Sequence, residues 1–255
     1  WVLQSAGREP GYMIGGLPAN LGRGAHFTDS EFNVLEGDEY DTAFFDKRSK
    51  FLHYLPEFVA INNIEFDHAD IYDSLDEIKL TFRRLLNIIP RRGVAVVNGD
   101  DGNVQEVIQG APCPVRTVGT GENCELRIED VLYQPEGSSF TLEGERYVIP
   151  MVGEFNVRNA AMAVVGGLFA GLDAGEIREA FSSFQGIARR QQIRGEVRGV
   201  TVVDDFAHHP TAIGLTVQAM RQRYPGQRLW VIFEPRSNTT RRNIFHAELA
   251  EALAK

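Results

Sequence analysis

The sequence predicts an α/β fold: a central, mostly parallel sheet with an antiparallel edge, followed by a second, incomplete α/β unit. Three observations carry this. Two buried-strand runs, Phe58 to Ile64 and Val94 to Asn98, flank a segment with the period of an amphipathic helix, and strand–helix–strand in that order implies parallel pairing. Residues 115–150 then change to short alternating strands divided by turn signals. Near Gly186 to Arg194 the pattern resets, and a strand–helix–strand–helix order begins again.

Taken in order, Trp1 to Ala6 reads as the end of a helix that Gly7 stops, so the chain is expected to begin inside a helix. Phe32 to Glu36 is a short strand running into acidic residues. Phe58 to Ile64 is apolar and then abruptly polar. Ser74 to Ile89 places Leu75, Ile78, Phe82, Leu85, Leu86 and Ile89 on one side, with Ser74 and Glu77 in a capping-box pattern and Pro90 and Gly93 ending the helix. Glu125 to Tyr133, Ser138 to Leu142 and Arg146 to Ile149 make the antiparallel edge, turning at Pro135-Glu136-Gly137 and Glu143-Gly144. Helices follow over Asn156 to Ala170 and Ala174 to Phe184, the latter with Asp173 and Glu176 as a cap pair. The second unit holds a strand from Gly199 to Asp204, a helix from Pro210 to Tyr224, a strand from Leu229 to Phe233 and a helix from about Thr240. The expected division is therefore 1–186 and 187–255, with the second unit stopping in mid-helix at Lys255.

Composition is ordinary for a globular protein, 43% hydrophobic and 24% charged over 255 residues. A net charge of −9 argues against non-specific binding to nucleic acid or to an anionic membrane. Phosphate binding stays open, because all but four of the 26 basic residues are Arg, and several cluster. Cys113 and Cys124 read as reduced thiols of a cytoplasmic protein. The longest apolar run, Ala160 to Leu172, is too short to span a bilayer and no signal peptide opens the chain.

Polar groups gather where strands end, which is where ligands sit in parallel sheets. Glu36-Gly37-Asp38-Glu39-Tyr40-Asp41 packs four carboxylates into six residues. That suits a divalent cation with hard oxygen ligands, or a solvated acidic loop. Asn62 to Asp70 brings Asn, Glu, Asp and His68 to a second strand end, as metal ligands or as ordinary surface groups. Asn156 and Asn159, three apart on a helix, put two amides on one face: an adenine-reading pair, or a cap and a packing face. Arg189-Arg190 lies at the junction of the units, where an Arg can reach a phosphoryl group or make a surface ion pair. Asp204-Asp205-Phe206-Ala207-His208-His209-Pro210 suits a ribose or an amine better than a metal. Glu234 to Arg242, with three Arg including Arg236 and Arg242, suits a carboxylate substrate or a charged helix start. There is no Gly-x-x-x-x-Gly-Lys-Ser/Thr loop, and Gly15-Gly16 reads as having no strand before it.

These motifs in this order resemble the Mur ligase superfamily across essentially the whole chain. Phe45-Asp46-Lys47-Arg48-Ser49-Lys50-Phe51 and Glu234-Pro235-Arg236-Ser237-Asn238-Thr239 resemble its murein peptide ligase branch rather than the alanine-adding branch. The resemblance implies an ATPase-type central domain and a Rossmann-like carboxy-terminal one. It implies a cytoplasmic, ATP- and Mg2+-dependent enzyme of peptidoglycan recycling. That enzyme joins UDP-N-acetylmuramate to L-alanyl-γ-D-glutamyl-meso-diaminopimelate through an acyl phosphate. Glu36 and His68 would hold magnesium and Arg190 reach the phosphates. Asn156 and Asn159 would take the adenine, Asp205 the ribose, and His208, Arg236 and Arg242 the substrate. Phe155 stands where the family carries His. The phosphate-binding loop would lie upstream of Trp1, so the chain alone is expected to be catalytically silent. The competing readings are an alanine-adding ligase and a nucleotide-binding module without chemistry. A dinucleotide oxidoreductase lacks its fingerprint here.

Overall fold

The structure is a computed structural model that describes residues 1–67, 71–235 and 245–254. Helix α1 (Val2–Ser5) stops before Gly7, whose φ of 71° favours a residue without a Cβ. Strands β1 (Gly11–Met13), β2 (Ala25–His26) and β3 (Asn33–Leu35) form a small sheet in the order β2-β1-β3, with β1 and β3 parallel. A hairpin of β4 (Asp41–Ala43) and β5 (Asp46–Ser49) follows, then a 3-10 turn over Lys50–His53.

The main sheet has six strands in the order β11-β10-β9-β8-β7-β6. They are β6 (Phe58–Ile61), β7 (Val94–Asn98), β8 (Val115–Gly119), β9 (Leu126–Gln134), β10 (Gly137–Leu142) and β11 (Glu145–Ile149). Pairing is parallel from β6 to β9 and antiparallel from β9 to β11, which gives the expected antiparallel edge. Helix α2 (Leu75–Ile88) connects β6 to β7, and α3 (Gly102–Val107) connects β7 to β8.

All of β7 is buried, and its side chains divide by the period of two. Val94 and Val96 join a core with α4 (Glu154–Phe169) and α5 (Ala174–Ser182), while Ala95 and Val97 join one with α2 and α3. Each fully buried valine contributes about 1.5–3 kcal/mol. Small residues let α4 lie close: Gly166 faces the Phe58 ring and Gly167 faces Ile177. Asp173 and Glu176 make the predicted capping box on α5. On α2 the box is altered: Ser74 accepts from Glu77 N–H, but Glu77 takes the N–H of Asp73.

The second unit holds the hairpin β12 (Gln192–Val197) and β13 (Val200–Asp204), then α6 (Pro210–Arg223) and α7 (His246–Ala254). Ile213 and Val217 of α6 pack on Leu249 and Ala252 of α7. No described helix is long and apolar enough to cross a membrane.

Two expectations are corrected. Leu229 to Phe233 forms no strand, because no described neighbour pairs with it; Trp230 and Ile232 stand 73% and 94% exposed. Gly15-Gly16 does follow a strand, β1. The strand before Glu36, β3, pairs parallel with β1 in the small sheet, so Glu36 does follow a parallel strand's carboxyl end.

Candidate active site

A cleft of about 960 Å³ opens between the two units, at the carboxyl ends of β6 and β7. Beyond β6, Asn62 Nδ2 donates to Asn159 Oδ1 at 2.8 Å, and Asn63 Nδ2 donates to Glu65 Oε1 at 3.0 Å. At and just beyond the end of β7, Asn98, Asp100 and Asp101 reach the cleft, and Asp101 also caps α3 through Val104 N–H. Gly153, at φ 108°, turns the chain into α4; a Cβ there would meet Ala219 at 2.8 Å and the Phe155 ring at 2.9 Å. That turn aims Asn156 into the interior, where its Nδ2 donates to Val152 O at 2.9 Å.

The junction contributes the opposite wall. Arg189 and Gln191 both have left-handed backbones, at φ 61° and 47°. Arg189 and Arg190 lie 4.8 and 5.8 Å from the centre of the Phe206 ring, so one aromatic ring serves two guanidinium groups. Asp205 is fixed at both oxygens: Gln191 N–H donates to Oδ2 and Ala207 N–H to Oδ1, each at 2.8 Å.

Glu65 crosses the seam. Its Oε2 accepts from the Thr211 hydroxyl at 2.6 Å and lies 3.2 Å from His209 Nδ1. The same Nδ1 accepts the N–H of Thr211 at 3.3 Å as the cap of α6.

Asn156, Asn159, Arg190 and Asp205 all line this cleft. His208 lies beside it, its Nε2 4.0 Å from Asp67 and its ring edge-on to Phe206. Glu36 is not on the cleft wall; its Oε2 accepts the N–H of Gly15. His68, Arg236 and Arg242 lie outside the described residues. The acidic run is less repulsive than its composition implies. Lys50 pairs with Asp38 at 2.7 Å and Lys47 with Asp41 at 2.6 Å, and the hydrogen bond to Asp38 raises the Lys50 pKa. Glu39 of that run reaches the cleft. Sequence reasoning did not single out Asn62, Glu65, Gln191 or Thr211. The first two stood inside a recognised motif; Gln191 carried no local signal.

As a cation site, the wall offers hard carboxylate oxygens from Glu39, Glu65 and Asp67. No group of three acidic, His or Cys ligands forms among the described residues. That chemistry fits magnesium, which commonly takes one or two carboxylates and completes its shell with water and phosphate.

Two family models cover this architecture: the Mur ligase middle domain over residues 16–166, and the Mur ligase glutamate ligase domain over residues 189–255. The chain belongs to the Mur ligase family. Among its relatives, the UDP-N-acetylmuramate–L-alanyl-γ-D-glutamyl-meso-2,6-diaminoheptandioate ligase of Escherichia coli K12 is 39% identical, over 100% of this chain and 56% of its own length. The crystal structure of a murein peptide ligase from Psychrobacter arcticus matches with a TM-score of 0.70 at 31% identity, over 99% of this chain and 57% of that one. A UDP-N-acetylmuramate–L-alanine ligase of Salinibacter ruber is 34% identical, over 92% of this chain and 49% of its own length. This Mur ligase chain thus spans about half the length of the curated relatives it matches.

Proposed function

We propose that the chain forms the central and carboxy-terminal part of a cytoplasmic, ATP-dependent ligase that joins UDP-N-acetylmuramate to L-alanyl-γ-D-glutamyl-meso-diaminopimelate in peptidoglycan recycling. The division falls at 1–186 and 187–255. The observation that carries the reading is the convergence of Asn156, Asn159, Arg190 and Asp205 on one cleft at parallel strand ends, between two units. The tripeptide is preferred over alanine because relatives named for the tripeptide reach 39% and 37% identity over the whole chain.

In this reading Asn156 and Asn159 hold the adenine. Asp205, its carboxylate held by two backbone N–H groups, accepts from the ribose. Arg190, backed by Phe206, turns its N–H fork to the phosphates. Magnesium, when bound, offsets the repulsion between the muramate carboxylate and the γ-phosphate. By the family match Glu36 and His68 would hold it, although Glu36 lies off the cleft wall, where Glu39, Glu65 and Asp67 offer the carboxylates. By the family match His208, Arg236 and Arg242 would bind the incoming peptide, whose amine displaces phosphate from the acyl phosphate.

The test is ADP release by a full-length ligase containing this chain, with UDP-N-acetylmuramate and either the tripeptide or free L-alanine. Turnover with the tripeptide, and little with alanine, is expected. Turnover with alanine alone would assign the alanine-adding activity, and no ADP release with either would end the ligase reading. Asn156→Leu is expected to raise the KM for ATP by about tenfold or more, with a smaller effect on the KM for the peptide.

A further inference from the structure

The segment that leaves β6, residues 62–67, belongs to no strand or helix, and among the described residues no backbone–backbone hydrogen bond fixes it. Side chains hold it instead, one after another along the chain. Asn62 Nδ2 donates to Asn159 Oδ1 of α4 at 2.8 Å. Ile64 is buried in the core beside α2 and α3, and Asn103 Nδ2 of α3 donates to its carbonyl at 2.8 Å. Glu65 is the next tether, and it leaves the first unit: its Oε2 accepts from the Thr211 hydroxyl of α6 at 2.6 Å, 146 positions away. Two residues on, Asp67 also faces the second unit, 4.0 Å from His208 Nε2.

Both oxygens of Glu65 are engaged, since Oε1 accepts from Asn63 Nδ2 at 3.0 Å. Thr211 is fixed in turn, because Pro210 opens α6 and His209 caps it through the Thr211 N–H. The carboxylate therefore meets a hydroxyl on the first turn of a 14-residue helix. The junction is held separately. There Gln191 Nε2 donates to Val152 O at 3.1 Å, sharing that carbonyl with Asn156 Nδ2 at 2.9 Å, and neither amide touches Glu65 or Asp67.

The segment brings Asp67 to the cleft wall and leads into His68. A cation binds more tightly where its ligands are held in place before it arrives, and the partners behind those ligands set much of that order. We propose that Glu65 is a positioning residue: through its bond to Thr211 the second unit holds the cation-binding end of this segment, so a divalent cation binds tightly only while the units are joined there. The inference rests on the magnesium-dependent reading above and adds to it a dependence of the first unit's cation site on the second unit.

The experiment titrates manganese(II) into the full-length ligase containing this chain, without nucleotide, and follows the free ion by electron paramagnetic resonance. Thr211→Val removes the hydroxyl at nearly constant volume, and Thr211→Ser retains it. Thr211→Val is expected to weaken manganese binding about fivefold or more, and Thr211→Ser to stay within about twofold of the unsubstituted protein. An unchanged dissociation constant in Thr211→Val overturns the proposal. Tighter binding in Thr211→Val also overturns it, since Thr211 would then compete with the cation for Glu65. Equal weakening in both variants overturns it too, because the hydroxyl would not be the group that acts. If the unsubstituted protein takes up no manganese, the magnesium-dependent reading itself falls, and this inference with it.

Discussion

Asp100 shows how one side chain can organise a strand end. It follows β7, and its carboxylate accepts from Thr120 N–H at 2.8 Å and Gly121 N–H at 2.9 Å. A Cβ on Gly119 or Gly121 would come within 2.6 or 2.7 Å of that carboxylate, so the two glycines make its seat. Burial alone would raise the pKa of Asp100, but the N–H groups of Thr120 and Gly121 outweigh it and hold the carboxyl below its ordinary value. A carboxyl depressed by folding adds stability above its unfolded pKa of roughly 4, and loses it as pH falls from there toward the folded value. Asp100→Asn should therefore flatten the acid limb of a melting-temperature profile below about pH 4, relative to the unsubstituted protein. Parallel limbs in the two proteins would show that Asp100 is not the group responsible.

At the scale of elements, the legible parts were those whose signals are local. The caps at Ser74 and Asp173 and the alternation over 126–149 need only neighbours in sequence, and each is present. The strand expected at Leu229 to Phe233 failed because a strand is completed by its partner, and β13 instead pairs with β12, a neighbour that sequence periodicity did not disclose. The site divides in the same way. Helical spacing put Asn156 and Asn159 on one face, and both line the cleft, whereas Gln191 is held there by a carbonyl 39 positions away. Gly153 is a junction between elements rather than a spare turn residue, for its missing Cβ admits both Ala219 of α6 and the Phe155 ring. Gly153→Ala should cost about 1–3 kcal/mol in denaturant unfolding, through left-handed strain and displacement of α6. A change within about 0.5 kcal/mol would mean that α6 accommodates the methyl group.

At the scale of the molecule, few polar contacts bridge the cleft, and Glu65 to Thr211, at 2.6 Å, joins the segment after β6 to α6. Thr211→Val keeps the shape of the side chain and removes the donor. It should weaken the closed arrangement by about 1 kcal/mol, or roughly fivefold in the opening equilibrium. Trypsin cleavage at Arg189, Arg190 or Arg194 should then accelerate by a similar factor under conditions where opening precedes cleavage. An unchanged digestion rate would assign the hold between the units to apolar packing instead.

The shared carbonyl of Val152 has a consequence for how such a molecule responds to its ligand. One of its two amides belongs to α4 and the other to the junction, so this part of the cleft wall is whole only while the halves stand in register. The intrinsic affinity of that wall is scaled down by the fraction of molecules in which it is assembled. By reciprocity, an occupant raises that fraction by the same factor it gains from it. Posture and occupancy become two readings of a single equilibrium, and a substitution at the seam would alter the affinity for any occupant of the cleft without touching it.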